Sequence, residues 1–297
     1  MQEKIQVQQT DPFGLAPLWS AIMEVYVSFA EICRKHGLRH YVGFGSAIGV
    51  LRHGGFIPWD DDMDVMMPRP DYEKFKEIAK LELPGHFKFV DIYNTPEYRQ
   101  HFAKIMDSRK VVVEAVEKGV GRHLASGVFI DIMPVDGFPA RRSEILKRRI
   151  GDKILCYKRM YVDRKNRPDL LKYKIAAVIG AVLSFCYPRL RTDRDFALYY
   201  DKRIKRYPFG STGKCAAVTS SMYLCQTSQV YDESDLADAV VKDLDGLKVP
   251  IASGYDAMLR ARYGDYMKMP PAEAQKPHHY NQKEAPWKFG PTGKEDK

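Results

Sequence analysis

The chain's 297 residues suffice for one large domain or two small ones, and 45% hydrophobic content is that of an ordinary globular protein. The sequence has no run of 18 apolar residues that could cross a bilayer, and its first residues, MQEKIQVQQTDP, lack the charged and apolar regions of a signal peptide, so a cytoplasmic protein is expected. The net charge of +9 is concentrated in residues 141–174, with 13 Lys or Arg against four Asp or Glu; the near-neutral remainder has no extended basic groove or RNP-like aromatic motif, which argues against a nucleic-acid partner.

In chain order, Leu18, Ile22, Val25, Phe29 and Ile32 recur at helical spacing, and Gly37 is placed to stop that helix. A strand is expected at Tyr41 to Phe44, a short helix at Ser46 to Arg52 and a strand at Asp62 to Met67. Asp71 to Lys80 reads as a helix with Phe75 and Ile78 facing inward. Strands follow at Phe87 to Ile92, Phe102 to Met106 and Val128 to Met133. From Ser143 to Tyr161, a stripe of Leu146, Ile150, Ile154, Tyr157 and Tyr161 predicts a helix with basic flanks. Ile175 to Tyr187 is uncharged; as a helix it would span about 20 Å, too short for a hydrocarbon core of roughly 30 Å. It is either a buried helix or one lying in the interface of an anionic membrane, held by apolar burial and by Arg189, Arg191 and Arg194. The pattern predicts one α/β catalytic domain: a mixed sheet core flanked by helices (about 15–140), a basic helical insertion (about 141–205), a C-terminal segment that folds back (about 213–285) and a mobile tail (286–297). The five cysteines form no CxxC pair and read as free thiols.

The chemistry concentrates in GSAIGVLRHGGFIPWDDDMDVMM, residues 45–67. Side chains alternate along a strand, so Asp60, Asp62 and Asp64 would share one face, with Met63, Val65 and Met67 on the other. Carboxylates in an apolar segment need a cation, cationic side chains or water. Oxygen-only ligands favour Mg2+ or Mn2+ over zinc, and such ions usually bind few carboxylates together with substrate phosphates. Gly45 and Ser46, after an apolar run, form a turn where a backbone can approach a ligand and a helix can begin. An EF-hand fits Asp60, Asp62, Asp64 and Asp71 by spacing, but Val65 stands where that loop needs glycine, and Pro68 and Pro70 follow. Asp131 is a lone charge in the apolar run Val128 to Met133 and reads as a third ligand; Asp136, before Gly137, reads as a turn residue. Asp60 and Asp61 either orient ligands or cap the turn after Pro58.

The segment GSAIGVLRHGGFIPWDDDMDVMMPRPDYEKF resembles the signature of the LicD family, phosphorylcholine transferases that share a nucleotidyltransferase fold with the fukutin-related proteins. VFIDIMPVDGFP at 128–139 and YGDYMKMPP at 263–271 resemble further blocks of that family, in family order. The resemblance implies a GS element at Gly45 and Ser46, paired metal carboxylates at Asp62 and Asp64, and a third at Asp131. It implies Mg2+ or Mn2+ as cofactor, CDP-choline as donor, and a glycan or lipid-linked glycan acceptor.

On that reading Asp62, Asp64 and Asp131 are catalytic metal ligands, while Ser46 and the backbone at Gly45 hold donor phosphates. Arg52, His53 and Lys104 are candidate cationic contacts, and Trp59, Tyr93, Tyr98 and Phe102 are available to cage a quaternary ammonium. Two competing readings keep the fold but transfer a nucleotidyl group with release of pyrophosphate, or make the chain a non-catalytic basic adaptor.

Overall fold

The computed structural model describes residues 7–96, 98, 100–111, 127–163, 179–180, 182, 185–217 and 230–277. It has an α/β fold, a sheet flanked by helices, as the sequence leads one to expect. The chain divides into two compact units. The first comprises residues 1–90, 103–134 and 234–297, the second residues 91–102 and 135–233.

The first unit opens with α1 (Ala16–His36), which buries Leu18, Ile22, Val25, Phe29 and Ile32 and ends at Gly37, whose φ of 63° is one that glycine adopts without a Cβ penalty. Its sheet runs in the order β1-β2-β5-β4-β3, formed by β1 (Tyr41–Val42), β2 (Asp64–Pro68), β3 (Phe87–Val90), β4 (Ala103–Val111) and β5 (Gly127–Gly137) as far as Pro134. Between β1 and β2 lie α2 (Phe44–Ile48) and a π-helical turn, Gly49–His53. Helix α3 (Arg69–Glu82) follows β2 and packs beside α1, with Phe75 buried and Ile78 partly so. The hairpin of β8 (Ala239–Leu244) and β9 (Leu247–Ala252) and helix α6 (Tyr255–Tyr263) bring Leu244, Val249, Ile251, Leu259 and Tyr266 into the same core as α1. Residues of the 239–266 stretch thus belong to the first unit's core. The Tyr41 hydroxyl donates to the Leu236 carbonyl at 2.6 Å, tying β1 to the chain just before that stretch.

Several boundaries differ from the sequence reading. The strand expected over Tyr41 to Phe44 stops at Val42, because Gly43 caps α2 and Phe44 turns the chain. The expected 46–52 helix is instead α2 followed by the π turn. β2 begins at Asp64, so Asp62 precedes the strand, and α3 starts two residues before Asp71, with Pro70 tolerated in its first turn. Asp136 is not a turn residue: it is buried within β5, opposite Ala216.

The second unit contains the end of β5, where Val135, Asp136 and Gly137 pair with β6 (Lys214–Ala217), which pairs in turn with β7 (Val230–Asp232). It also holds α4 (Arg142–Asp163) and α5 (Asp193–Ile204), the latter opened by a capping box of Thr192 and Asp195. Leu155, Leu190, Phe196, Tyr200 and Ile204 form its core.

Helix α4 carries the expected apolar stripe, but the stripe is not its most buried side. Leu146 and Ile150 are exposed, at 59% and 52%, and the buried side carries Arg148, Asp152, Leu155 and Lys158. Asp152 accepts from Arg148 Nε and Arg203 Nε, each at 3.1 Å, and this pairing makes a charged inward face tolerable. Burial nonetheless pushes the Asp152 carboxyl above its usual range, against the pull of the two guanidinium groups. Most of the apolar segment 175–187, the tail 286–297 and Cys225 lie outside the described residues. Cys33, Cys156, Cys186 and Cys215 form no disulfide among the described residues.

Candidate metal and phosphate site

The site is assembled by backbone bonds that join three stretches of chain in the first unit. Gly43 N donates to the Asp64 carbonyl at 3.0 Å, and Asp64 N donates to Ser46 Oγ at 2.9 Å. The β1-to-α2 turn thus holds Asp64 at both ends of its peptide unit. Asp131 N donates to the Met63 carbonyl at 2.8 Å, bringing the middle of β5 alongside the aspartate segment. Carboxylate oxygens of Asp62, Asp64 and Asp131 consequently lie within 4.8 Å of one another. All three donors are hard oxygen ligands at a separation a single small cation can bridge, so the residues fit Mg2+ or Mn2+.

Asp131 is buried and Asp62 and Asp64 are half-buried, leaving the cluster open on one side for a substrate. In the antiparallel β4–β5 register Lys104 stands opposite Asp131, and its Nζ lies 2.9 Å from Asp131 Oδ1. The same ammonium sits 3.2 Å from the centroid of the Phe129 ring. Carboxylates of Asp60, Asp61 and Asp62 form a second close group, which replaces the simple alternation expected of an extended strand. The cause is a turn: Asp60 N donates to the Ile57 carbonyl at 2.8 Å, and Trp19 Nε1 donates to the Asp60 carbonyl at 2.8 Å.

Gly45 lies against the Asp60 carboxylate: a Cβ there would stand 3.1 Å from Asp60 Oδ2, a tight contact that would push that side chain aside. Phe44, just before it, has a φ of 51°, a left-handed conformation that costs a non-glycine residue on the order of 1–2 kcal/mol. Its ring is buried and carries the Arg262 guanidinium 4.6 Å from its centroid. The packed ring holds the strained turn that presents Gly45 and Ser46. Neither Phe44 nor Phe129 is legible as a site residue, because both read as ordinary core aromatics.

Arg52 and His53, the candidate cationic contacts, bond to groups of the protein itself. Arg52 Nη1 donates to the carbonyls of Tyr266, at 2.7 Å, and Lys268, at 3.1 Å, clamping the 263–271 block to the π turn. Arg52 Nε donates to His53 Nε2 at 3.0 Å, which requires a lone pair on that nitrogen. Burial and the adjacent guanidinium both lower the His53 pKa, so the ring is a neutral acceptor. The candidate cage aromatics fall in both units. Trp59 is buried edge-on to His53 in the first unit; in the second, Tyr98 and Phe102 are buried and the Tyr93 hydroxyl donates to Asp201.

Known proteins resemble the chain over the stretch that carries the Gly-Ser turn and the aspartate pair. The chain is 29% identical to the lipopolysaccharide cholinephosphotransferase LicD of Haemophilus influenzae, over 84% of this chain and 90% of that protein. An uncharacterised protein of Rickettsia typhi is 33% identical over 48 residues, 16% of either chain. A family model described as LicD/FKTN/FKRP, nucleotidyltransferase domain, matches residues 37–118, a span that includes Gly45, Ser46, Asp62, Asp64 and Lys104 but not Asp131. Residues 37–118, with the Gly-Ser turn and the aspartate pair, are thus similar to the LicD/FKTN/FKRP nucleotidyltransferase domain.

Proposed function

We propose that the chain is a metal-dependent phosphotransferase that moves phosphocholine, or a related alcohol phosphate, from a CDP-linked donor to a sugar hydroxyl of a cell-surface glycan or glycolipid precursor. The Haemophilus relative is named as a cholinephosphotransferase acting on lipopolysaccharide, and the transferase class is carried over from it. The observation that supports the chemistry is the convergence of Asp62, Asp64 and Asp131 beside Ser46 and Lys104.

On this reading Asp62, Asp64 and Asp131 hold Mg2+ or Mn2+. Such an ion, when bound, neutralises phosphate charge as the phosphoryl bond breaks. Ser46 serves the site through Asp64: by accepting from the Asp64 peptide it fixes the direction of that carboxylate, and its own hydroxyl proton remains to be donated. The backbone at Gly45 admits the donor's phosphates closely. Lys104 restrains the Asp131 carboxylate and brings a positive charge to the place where anionic oxygens collect. A carboxylate of the cluster accepts the proton of the attacking sugar hydroxyl. Arg52 and His53 act as scaffold residues on this reading, Arg52 Nη1 holding the carbonyls of Tyr266 and Lys268. The enzyme works on the cytoplasmic side, in peripheral contact with the membrane that carries its acceptor.

The description of the matched domain favours one alternative, transfer of a nucleotidyl group. The full chain incubated with CDP-choline, Mg2+ and lipopolysaccharide precursor is expected to release CMP and leave phosphocholine on the glycan. Release of choline phosphate with CMP retained on the acceptor would assign nucleotidyl transfer instead, and with a nucleoside triphosphate donor the corresponding sign is pyrophosphate.

A further inference from the structure

The second unit exposes large apolar side chains in a pattern that its own core does not use. Residues 179, 180, 182, 185 and 186 are helical, and the three-residue spacing of Ile179, Val182 and Phe185 puts them on one face. Val182 is 69% exposed and Phe185 93% exposed. On α4, Leu146 and Ile150 are exposed beside the exposed Arg142, Arg149 and Lys153. By helical spacing Tyr161 lies on that same side of α4, and Gly180 sits so close to Tyr161 that a Cβ there would overlap it.

Directly after Phe185 the chain forms the wall of a cavity of about 430 Å3. Its lining includes Tyr187 and Arg189 from the loop, and Tyr199, Lys202, Arg203 and Arg206 from α5 and the turn after it. The two tyrosine rings meet edge to face, 6.1 Å apart. Arg203 is oriented by its bonds to Asp152 and to the Arg148 carbonyl, at 3.1 and 3.3 Å. Among the described residues the lining has four cationic side chains and no carboxylate. Asp152 answers the charge of Arg203, and Arg189, Lys202 and Arg206 give the hollow a positive potential that attracts an anion. A bare phosphate would answer the charge but would leave Phe185 and Val182 in water, whereas an anionic lipid answers both.

We propose that the second unit carries a docking surface for an anionic phospholipid bilayer: the cavity between Tyr187 and α5 receives a lipid phosphate, and Val182 and Phe185 enter the acyl boundary. Leu146 and Ile150, with the basic residues beside them, extend the contact along α4. This deepens the reading that the enzyme meets its acceptor at a membrane and supplies the surface by which it does so.

The test is flotation of the full chain with vesicles of phosphatidylcholine alone or with one third phosphatidylglycerol. Binding is expected only to the anionic vesicles. The pair Lys202→Gln, Arg206→Gln should lower the partition coefficient by roughly tenfold or more, the scale expected for two cations near a charged surface. Phe185→Ser should lower it at unchanged vesicle charge. The pair Lys74→Gln, Lys88→Gln, which removes the same charge from exposed sites on the first unit, should leave it within about twofold. Equal losses in both charge pairs, or flotation with phosphatidylcholine alone, would overturn the proposal. So would inorganic phosphate raising the melting temperature while anionic vesicles fail to bind, since the cavity would then serve a soluble ion. Each variant is checked for an unchanged circular dichroism spectrum and melting temperature; if Phe185→Ser does not fold, Val182→Ser reads the same face. The assay uses neither donor nor glycan, so its failure leaves the transferase reading standing, and failure of transfer leaves flotation unaffected.

Discussion

Replacing Lys104 with methionine isolates the charge at the centre of the site. The Nζ-to-Oδ1 distance to Asp131 is 2.9 Å, with the two side chains only 13% and 7% exposed. At that distance the gross attraction is about 6 kcal/mol for an effective dielectric constant near 20, much of it offset by desolvation. Methionine keeps an unbranched stem against Phe129 and removes only the cation, so Asp131 is left buried among carboxylates. Breaking one side of a buried pair costs about 3–5 kcal/mol, and the open side of this cluster places the expected loss near the lower figure. Urea unfolding in chelator, followed by fluorescence of Trp19 and Trp59 in the first unit's core, should show a loss of about 3 kcal/mol. Saturating Mg2+ should then stabilise Lys104→Met by more than it stabilises the parent, because the ion replaces the missing charge. A variant within about 0.5 kcal/mol of the parent in chelator, with the same response to Mg2+, would refute the claim that Lys104 is the counter-charge of Asp131.

Acid should weaken both units. Burial lowers the pKa of His40 to about 4 and of His101 to about 3, both beneath their unfolded value, so the unfolded chain takes up protons first as pH falls. Stability is complete above about pH 6.5 and declines below it, by about 2 kcal/mol per histidine at pH 5. Urea unfolding at pH 7.5 and pH 5 measures this, and His101→Phe should flatten the loss in the second unit; equal stability at the two pH values would contradict it. Arg52→Ala should cost about 2 kcal/mol by freeing the carbonyls of Tyr266 and Lys268, with the KM for donor little changed. A large rise in KM at unchanged melting temperature would instead make Arg52 a phosphate ligand.

Much of the site was legible because its parts obey local rules. A glycine-serine pair after an apolar run predicts a tight turn, and aspartates inside an apolar segment predict a counter-charge; both are present. Asp131 could be picked out as a lone charge in a β-rich run, and cross-strand register explains why Lys104 meets it. What the sequence did not reveal depends on long-range packing. The left-handed Phe44 carries no glycine or asparagine signal, and Arg52 looks like any surface cation until the 263–271 block folds back onto it. Helix α4 misleads because periodicity reports an apolar stripe without saying which side is inward; there the Arg148–Asp152–Arg203 pairing allows the charged side to face the core. Asp136 precedes a glycine, a turn signal that strand pairing with β6 overrides.

The central claim is that Asp62, Asp64 and Asp131 form a metal-dependent site for a CDP-linked donor. Isothermal titration of CDP-choline into the full chain, with and without Mg2+, alongside the Asp62→Ala, Asp64→Ala double variant, tests it most directly. The account predicts binding that requires Mg2+ and is lost in the variant. Binding of equal strength in chelator, or binding retained without the two carboxylates, would contradict it.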